Sequence, residues 1–344
     1  MLSAPASISQ AFEAPLNQRN VPDQQRRDFH KWFRFYLDFC NKYDSNPKLT
    51  ASFAAFDEKL LELVTGASAV TYVGVPNIAL GDALGSCVFN LLLIVLLDFL
   101  HRGASVYTRI SQGHILSAGF GVVLLGFVAF NIVLYQQDFN LSLGHVGLYT
   151  PIIVLFYIFA VRTVFRYEKA QRQEVVEEIA ERYPKISLIK ALTFYFLAAA
   201  VVVLMAIRLP VTAEHLAVAM GWQRSFVGTV FVALATSLPE VAVTLSALRI
   251  GALDMAISDL LGSNLFDLVI IAVDDLAYLK GPLLANVSPV HLVTIQSAIM
   301  MTGIAIVGLL YRPQTRLFKT VGWVSLFMFA IYILNLSALY LQRE

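Results

Sequence analysis

Charged residues and cysteines are scarce in this chain of 344 residues. Only 14% of the residues are charged, against about 25% in an ordinary soluble domain. The two cysteines, Cys40 and Cys87, are too few and too far apart for a disulfide framework. The net charge of +1 gives no reason to expect a nucleic acid partner. No glycine-rich phosphate loop, Cys/His metal cluster or plausible Ser/His/Asp set is visible in the sequence, so we expect neither a resident cofactor nor an enzyme.

The chain contains several long apolar runs, and 58% of its residues are hydrophobic. A helix needs roughly 20 apolar residues to cross a hydrocarbon core about 30 Å thick. Eight runs approach that length, near residues 78–100, 115–136, 148–165, 187–208, 225–248, 253–277, 289–311 and 318–340. Backbone polar groups have no water partners in lipid, so each run should be a helix. The sequence therefore predicts an all-α polytopic membrane helix bundle.

Basic residues are concentrated in every second connection between these runs. They are Arg102 and Arg109, the cluster from Arg162 to Lys185, then Arg249, and finally Arg312, Arg316 and Lys319. Connections rich in lysine and arginine face the cytoplasm. The connections that contain Asp138, Arg224 and Lys280 should face outward. We expect a multi-pass protein of the plasma (inner) membrane, in contact with lipid.

The ends of the first half are polar. Residues 1–50 lack a secretory signal and are predicted to be a polar cytoplasmic tail. Within it, DFHKWFRFYLDFC has aromatic residues at helical spacing beside basic ones, which is typical of an interfacial helix. A cytoplasmic helix that packs on the loops of the bundle would show the same pattern. Residues 166–186 are predicted to be a charged cytoplasmic linker, with a short solvated helix and i,i+4 charge pairs.

An internal repeat is the strongest signal in the sequence. IALGDALGSCVFNLLLI, Ile78–Ile94, and MAISDLLGSNLFDLVII, Met255–Ile271, are identical without a gap at about half of their positions. Four spans lie between the copies, so the second copy enters the membrane from the opposite side. This is an inverted-topology repeat, which is common in secondary transporters.

Each copy places a serine one helical turn before an amide or an acid, which puts both side chains on one face. The pairs are Ser86 with Asn90 and Ser263 with Asp267. Gly85 and Gly262 precede the serines and would let a neighbouring helix approach closely. Asp82 and Asp259 lie one turn earlier, nearer the helix starts. We expect them to cap a helix or line a mouth rather than bind an ion.

A second polar cluster interrupts the apolar span Gly228–Leu248. Pro239 has no N–H, so the carbonyl of Ala235 loses its helical partner and the surrounding turn can unwind. That carbonyl would point together with the hydroxyls of Thr236 and Ser237 and the carboxylate of Glu240. An all-oxygen set of this kind suits hard cations such as Ca²⁺ and Na⁺.

Acidic side chains at mid-bilayer need a partner. A carboxylate there costs roughly 2.5 kcal/mol or more on insertion scales, and no lysine or arginine lies mid-span near Glu240 or Asp267. A bound cation, or a proton in its absence, would supply the missing charge.

These motifs resemble those of the sodium/calcium exchanger family of cation/calcium antiporters, whose repeats read G-T-S-x-P-E and then G-S-N-x-F-N/D. The second repeat here has ATSLPE, Ala235–Glu240, followed by LGSNLFD, Leu261–Asp267. The first repeat has LGSCVFN, Leu84–Asn90. The resemblance implies two five-helix halves, with Ca²⁺ and Na⁺ bound at the midplane as transported substrates and exposed alternately to either side. The implied ligands are Thr236, Ser237, Glu240, Ser263 and Asp267, with Ser86 and Asn90 from the first repeat.

The first repeat departs from the family pattern. Its glutamate should be Glu62, although the spacing from Glu62 to Ser86 is one residue longer than that from Glu240 to Ser263. DEKLLE, Asp57–Glu62, stands where the family has G-T-S-x-P-E, without hydroxyl or proline, and no counterpart of the family's first helix is visible. We therefore predict an incomplete first half in residues 51–165 and a second half in residues 187–344. Either the amino terminus has diverged or was replaced, or half of the site has been lost.

Four functions remain open at this point. The leading hypothesis is Na⁺-driven Ca²⁺ antiport by a monomeric unit, because competition for the charges of Glu62, Glu240 and Asp267 would couple the two ion fluxes. A Ca²⁺/H⁺ or other cation antiporter and a truncated relative that does not transport are the alternatives. An intramembrane protease with Asp82 and Asp259 is less favoured, because the repeated Ser and Asn/Asp pairs have no role in that chemistry. His114 is expected at the surface.

Overall fold

The computed structural model describes residues 50–101, 105–108, 110–111, 113–137, 139, 141–171, 188–313, 316–317 and 321–342. The predicted polar tail with its interfacial helix, Cys40 and most of the charged linker lie outside the described residues. The predicted alternatives for those segments therefore stay predictions.

Helices dominate the described residues, as predicted. They are α1 Thr50–Ser68, α2 Pro76–Leu100, α3 His114–Gln136, α4 Tyr149–Gln171, α5 Leu188–Met220, α6 Arg224–Val227, α7 Ala233–Thr236, α8 Leu238–Ile250, α9 Leu253–Ala277, α10 His291–Tyr311 and α11 Trp323–Leu341. Two π-helical turns, π1 Ala69–Val73 and π2 Gly228–Val232, and two 3-10 turns, Val106–Thr108 and Leu283–Ala285, connect them. Two small antiparallel hairpins pair β1 Ser142–Leu143 with β2 Val146–Gly147, and β3 Arg316–Leu317 with β4 Val321–Gly322.

Within the described ranges, seven helices are long and apolar enough to cross a membrane, or eight if the bent pair α6–α7 and α8 forms one span. The chain is thus a multi-pass integral membrane protein with an all-α fold. The span predicted at 187–208 falls within the long helix α5, Leu188–Met220, of which Ala199–Met220 is apolar enough to cross a membrane.

The two helices that carry the repeat copies form the centre of the bundle. In the apolar windows of α2 and α9, 72% and 67% of the residues are buried, against 28% in α4 and α11. These helices belong to a compact unit of Leu61–Glu177 and Leu204–Glu344. A second unit comprises Met1–Leu60 and Glu178–Val203. The described residues of that unit are the first parts of α1 and α5.

Each half of the bundle repeats the same order of elements. A central helix (α2 or α9) is followed by a 3-10 turn, a spanning helix, a two-stranded hairpin and a last spanning helix. The structural repeat therefore extends well beyond the two aligned stretches, Ile78–Ile94 and Met255–Ile271.

A buried aspartate near the end of α2 joins the two halves. The backbone N–H of Val106 and the hydroxyl of Ser105 donate to Oδ1 of Asp98, at 3.1 and 3.3 Å. The N–H of Gly322 and the hydroxyl of Ser325 donate to its Oδ2, at 2.9 and 2.8 Å. One carboxylate therefore holds the 3-10 turn of the first half and the hairpin end of the second.

Asp275 near the end of α9 makes the equivalent contacts with the two halves exchanged. The N–H of Leu283 donates to its Oδ1 at 2.6 Å, together with the hydroxyl of Tyr149. The N–H of Gly147 and the hydroxyl of Thr150 donate to its Oδ2, at 2.9 and 2.5 Å. Asp275 therefore holds the 3-10 turn of the second half and the hairpin end of the first.

These two acids occupy equivalent places in the repeat. Asp98 and Asp275 differ by the same 177 positions that separate Cys87 from Asn264. We call Asp98 and Asp275 the reciprocal aspartates. Each one satisfies backbone N–H groups of both halves, so each half contributes to the folded structure of the other.

A second pair of equivalent contacts lies at the starts of the central helices. His114 Nε2 lies 2.9 Å from Oδ1 of Asp254, which also accepts the N–H of Ser111 at 2.7 Å. The equivalent distances to Oδ1 of Asn77 are 3.1 Å from His291 Nε2 and 2.7 Å from the N–H of Ser288. The prediction of a surface position for His114 is wrong, since this residue is only 3% exposed. A basic connection suggested solvent, but the histidine is the first residue of α3 and turns inward.

Candidate functional site

The helix that carries ATSLPE is broken at the predicted place. Segments α6–α7 and α8 meet at an angle of 47°. Ser237 is the single residue between α7 and α8, and Pro239 lies at the first turn of α8. Proline is tolerated there because the first N–H groups of a helix have no intrahelical acceptor. The break leaves the carbonyl of half-buried Ala235 without a donor from position 239.

The break is packed against α2 at very short range. A Cβ atom added to Gly85 would lie 2.3 Å from the carbonyl oxygen of Thr229 and 2.7 Å from Cβ of Ala233. A Cβ on Gly228 would likewise lie 2.7 Å from the carbonyl oxygen of Ile78. Two glycines thus allow backbone contact between α2 and π2. This confirms the expectation for Gly85. The expectation for Gly262 is wrong, because nothing lies within 4 Å of a Cβ added there.

Hydroxyl groups from both repeats meet across this contact. Ser237 Oγ donates to Ser86 Oγ at 3.2 Å, and Ser86 Oγ lies 3.5 Å from Thr236 Oγ1. The hydroxyl of Thr236 also donates a hydrogen bond to Oδ1 of Asp82 at 2.7 Å. All four residues are buried. We call Asp82, Ser86, Thr236 and Ser237 the hydroxyl cluster.

The position of Asp82 corrects a prediction. It was expected to cap a helix or line a mouth, but it is 4% exposed and binds the hydroxyl at the break. Asp82 is the seventh residue of α2, which is too far along the helix to cap it. Its repeat partner Asp259 is only half-buried. The two positions are equivalent in sequence, but they have different surroundings.

A second polar face lies between α2 and α9. Cys87 Sγ donates to Oδ2 of Asp267 and to the carbonyl oxygen of Asn264, both at 3.6 Å. The amide of Asn264 donates back to the carbonyl of Cys87 at 3.2 Å. Asn90 is completely buried, and neither its side-chain nitrogen nor its oxygen has a hydrogen-bond partner among the described residues. Ser263 is 2% exposed on the same helix as Asp267.

Glu240 occupies the first turn of α8 and is completely buried. The amino terminus of a helix carries a partial positive charge, which stabilises a carboxylate in its first turn. The break therefore lowers the cost of burying this acid even before an ion is considered. At the same place, the carboxyl end of α7 presents carbonyl groups, which suit a cation.

Glu62, the proposed partner of Glu240 in the first repeat, is 2% exposed. Helix α1 runs unbroken from Thr50 to Ser68, as expected from the absence of proline. The extra residue between Glu62 and Ser86 coincides with π1, and a π-helical turn accommodates one additional residue. This local insertion accounts for a buried Glu62 despite the longer spacing.

The carboxylates of the predicted site do not converge on one point. Among the described residues, no three Asp, Glu, His or Cys side chains are close enough to hold a metal ion. A cation at the centre of the bundle would therefore need hydroxyl, amide and carbonyl oxygens in addition to carboxylates, which is the donor chemistry that Ca²⁺ and Na⁺ accept. The sequence missed the contributions of Asp82 and Cys87, since only their burial and partners reveal them.

Known proteins share both sequence and fold with this chain. The family described as sodium/calcium exchanger protein matches residues 190–338. The inner membrane protein YrbG of Escherichia coli (strain K12) is 28% identical over 196 residues, which cover 57% of this chain and 58% of that protein. The match thus spans little more than half the length of YrbG.

Two solved structures have the same architecture. The sodium-calcium exchanger NCX_Mj, soaked with Na⁺ and Sr²⁺, matches with a TM-score of 0.53 and 20% identity over 83% of this chain and 84% of that one. The Ca²⁺/H⁺ antiporter YfkE, in its native form, matches with a TM-score of 0.57 and 19% identity over 85% and 89%. The resemblance in the repeat motifs is confirmed for residues 190–338, which match the sodium/calcium exchanger family, and most of the chain shares the fold of NCX_Mj and YfkE.

Proposed function

We propose that the chain exchanges Ca²⁺ for Na⁺ across the membrane by alternating access, with both ions as transported substrates. The observation that carries this proposal is the hydroxyl cluster at the break between α7 and α8. There, oxygen atoms of the two inverted repeats lie within 3.5 Å of each other in the centre of the bundle. An inverted repeat whose halves meet at a broken helix is the arrangement that secondary transporters use for ion sites.

The electrostatics favour a cation as the bound species. Glu240 and Asp267 are completely buried, and a charged acid at mid-bilayer costs about 2.5 to 3.5 kcal/mol on insertion scales. A transported cation would compensate these charges, and its departure would require a second cation or a proton.

The proposed ligands combine the residues at the break with those of both repeat faces. They are Thr236, Ser237, Glu240 and the carbonyl of Ala235, with Ser263 and Asp267 from α9, Ser86 and Asn90 from α2, and Glu62 from α1. If Ca²⁺ and Na⁺ compete for this one set of ligands, the fluxes of the two ions are coupled. The reason is that only a protein with an occupied site then favours the states that can change access from one side of the membrane to the other. NCX_Mj, described as a sodium-calcium exchanger, has the same fold.

Proton coupling is the second candidate. YfkE, described as a Ca²⁺/H⁺ antiporter, has an equally similar fold, and buried acids can be neutralised by protons as well as by metal ions. The exchanging ion can be identified with purified protein in sealed vesicles. We expect Ca²⁺ uptake when an outward Na⁺ gradient is imposed and none when only a pH gradient is imposed.

Two variants test the site in the same assay. Glu240→Gln removes a charge at the break with little change in shape, and we expect it to reduce Na⁺-driven Ca²⁺ uptake at least about a hundredfold, equivalent to about 2.7 kcal/mol. Glu214→Gln is the matched control. It makes the same chemical change in a partly exposed acid that pairs with Arg224, and it should transport normally. Uptake by Glu240→Gln at the wild-type rate would refute the site, and uptake that responds only to the pH gradient would replace Na⁺ by H⁺.

A further inference from the structure

A groove of about 560 Å³ lies between α10 and α11, and it is open rather than enclosed. Its mostly apolar walls come from residues 292–300 of α10 and 331–338 of α11. The polar side chains among its described lining residues are Gln296, Ser297 and Asn335, and none of these lining residues is charged. None of them belongs to the hydroxyl cluster or to the ligands proposed for transport. The groove is therefore a separate feature of the bundle.

The floor of the groove is polar. Asn335 is 1% exposed and lies on the buried face of α11, seven residues after Met328 and four before Leu339. Neither its side-chain nitrogen nor its oxygen has a hydrogen-bond partner among the described residues. A buried amide in this state is unfavourable, because nothing replaces its hydration. Asn335 therefore offers a donor group and an acceptor to a molecule in the groove.

This region can be aligned with the other half of the bundle. His114 and His291 are the first residues of α3 and α10, make equivalent contacts and differ by 177 positions. Thr150 and Ser325 donate to the two reciprocal aspartates and differ by 175 positions. The groove between α10 and α11 is therefore equivalent to the contact between α3 and α4.

Three phenylalanines fill the equivalent space in the first half. The ring centroid of Phe120 lies 5.7 Å from that of Phe156 and 5.9 Å from that of Phe159. The residues at their places in the second half have smaller side chains: Ser297, Ile331 and Leu334. A fourth exchange puts Asn335 where the first half has the buried Ala160. The second half has thus lost ring volume and gained an amide at the same place.

We propose that this groove binds a neutral glyceride, a lipid with fatty acyl chains and one free glycerol hydroxyl. The hydroxyl donates to Oδ1 of Asn335, and the side-chain N–H of Asn335 donates to an ester carbonyl of the same molecule. Both buried polar atoms then have a partner. An acyl chain lies along the apolar walls, which extend for about 12 Å along α10.

The depth of Asn335 favours a neutral ligand. It lies six residues before the end of α11 at Leu341, which is about 9 Å along the helix axis. An ionised headgroup would have to leave water to reach it, which is very unfavourable. The described lining residues offer no charge to pair with such a headgroup. A hydroxyl and an ester carbonyl need no counter-charge.

A second copy of the chain is the less favoured occupant. Only 28% of the residues in the apolar window of α11 are buried, and Leu334 beside Asn335 is 67% exposed, so the groove opens toward lipid. The face of a helix could cover the groove, but a slender group is needed to reach the amide at its floor. The glycerol and acyl parts of one lipid have that shape.

Native mass spectrometry of the purified full-length chain in detergent tests the proposal, with dioleoylglycerol as the probe. We expect one bound molecule per chain. The methyl ether of the probe lacks the hydroxyl donor and should bind at least about fivefold more weakly, because Oδ1 of Asn335 then loses its partner. Dioleoylphosphatidylcholine should also bind more weakly, because its headgroup is charged.

Two variants and a control locate the bound lipid. Asn335→Leu should bind dioleoylglycerol at least about fivefold more weakly and should not distinguish it from the ether. Asn131→Leu is the matched control, since it removes an amide of α3 that donates to the carbonyl of Phe127 outside the groove, and it should bind like wild type. Ser297→Phe restores the ring that the first half has at Phe120, and it should keep the unfolding midpoint of wild type while it abolishes binding.

Several results would overturn the proposal. They are equal binding of the probe and its ether by wild type, equal binding of dioleoylphosphatidylcholine, undiminished binding by Asn335→Leu, and undiminished binding by Ser297→Phe. A wild-type dimer that Asn335→Leu dissociates would replace the lipid by a second copy of the chain. No ion gradient enters these measurements, so their outcome does not depend on the proposed transport function.

Discussion

The close contact between α2 and π2 permits a quantitative prediction from two equivalent glycines. Alanine at Gly85 would place Cβ 2.3 Å from the carbonyl oxygen of Thr229, whereas ordinary contact begins near 3.4 Å. The backbones would have to separate by about 1 Å, since the atoms concerned belong to the main chain or to a Cβ and cannot rotate away. Overpacking of this kind costs about 1 to 3 kcal/mol. We expect the upper end of that range.

Alanine at Gly262 makes the same change in the other repeat, where nothing lies within 4 Å of the added Cβ. Alanine is favoured over glycine inside a helix by about 1 kcal/mol, so this variant should be as stable as wild type or more stable. Alanine has the same helix-propensity advantage over glycine at position 85, but there the steric clash of its Cβ with Thr229 costs more than that advantage. The two variants should therefore differ by about 3 kcal/mol, with Gly85→Ala the less stable.

Thermal unfolding of both purified variants in one detergent measures this difference. We expect the midpoint of Gly85→Ala to fall below that of wild type and the midpoint of Gly262→Ala to equal or exceed it. Ca²⁺ uptake should fall in Gly85→Ala alone, because the displaced segment leads directly into the break. Equal midpoints for the two variants would refute the argument that α2 and π2 are in backbone contact.

Three further predictions follow from the contacts at the centre. Asp98→Asn and Asp275→Asn should each destabilise the chain by about 3 kcal/mol or more, since charge-assisted hydrogen bonds contribute about 1.5 to 3 kcal/mol each; denaturation midpoints equal to wild type would contradict the reciprocal arrangement. Pro239→Ala should supply an N–H for the carbonyl of Ala235, straighten the helix and raise the unfolding midpoint while lowering Ca²⁺ uptake; unchanged uptake would show that the break is not needed. Thr236→Val keeps the shape of the side chain but removes the donor to Asp82, and it should reduce uptake more than Thr236→Ser, which keeps the hydroxyl; equal rates for the two variants would exclude the hydroxyl from the mechanism.

Local sequence determined much of the fold and the position of the break. Apolar runs located the spanning helices because the requirement to satisfy every backbone group in lipid leaves few alternatives. Pro239 located the break because its missing N–H acts on its own helix, whatever packs against it. The repeat around Ser86 and Ser263 likewise identified α2 and α9 as equivalent helices of the two halves. Each of these inferences concerns one helix and its solvent.

Properties that depend on a neighbouring helix were not accessible in the same way. Gly85 and Gly262 have the same sequence context, but only Gly85 faces another backbone. Asp82 and Asp259 differ in the same manner. His114 lies in a basic connection, yet its partner Asp254 is far away in the chain. Periodicity shows which residues share a face, but it does not show which helix that face meets.

The reciprocal aspartates have a consequence for the origin of the chain. If one half of the bundle were made alone, its aspartate would still hold its own 3-10 turn, but the second oxygen would lack the hairpin of the opposite half. Two copies of a single half, inserted in opposite orientations, would provide both hairpins to both acids. The contacts made by Asp98 and Asp275 are therefore those that an antiparallel homodimer of one such half would make.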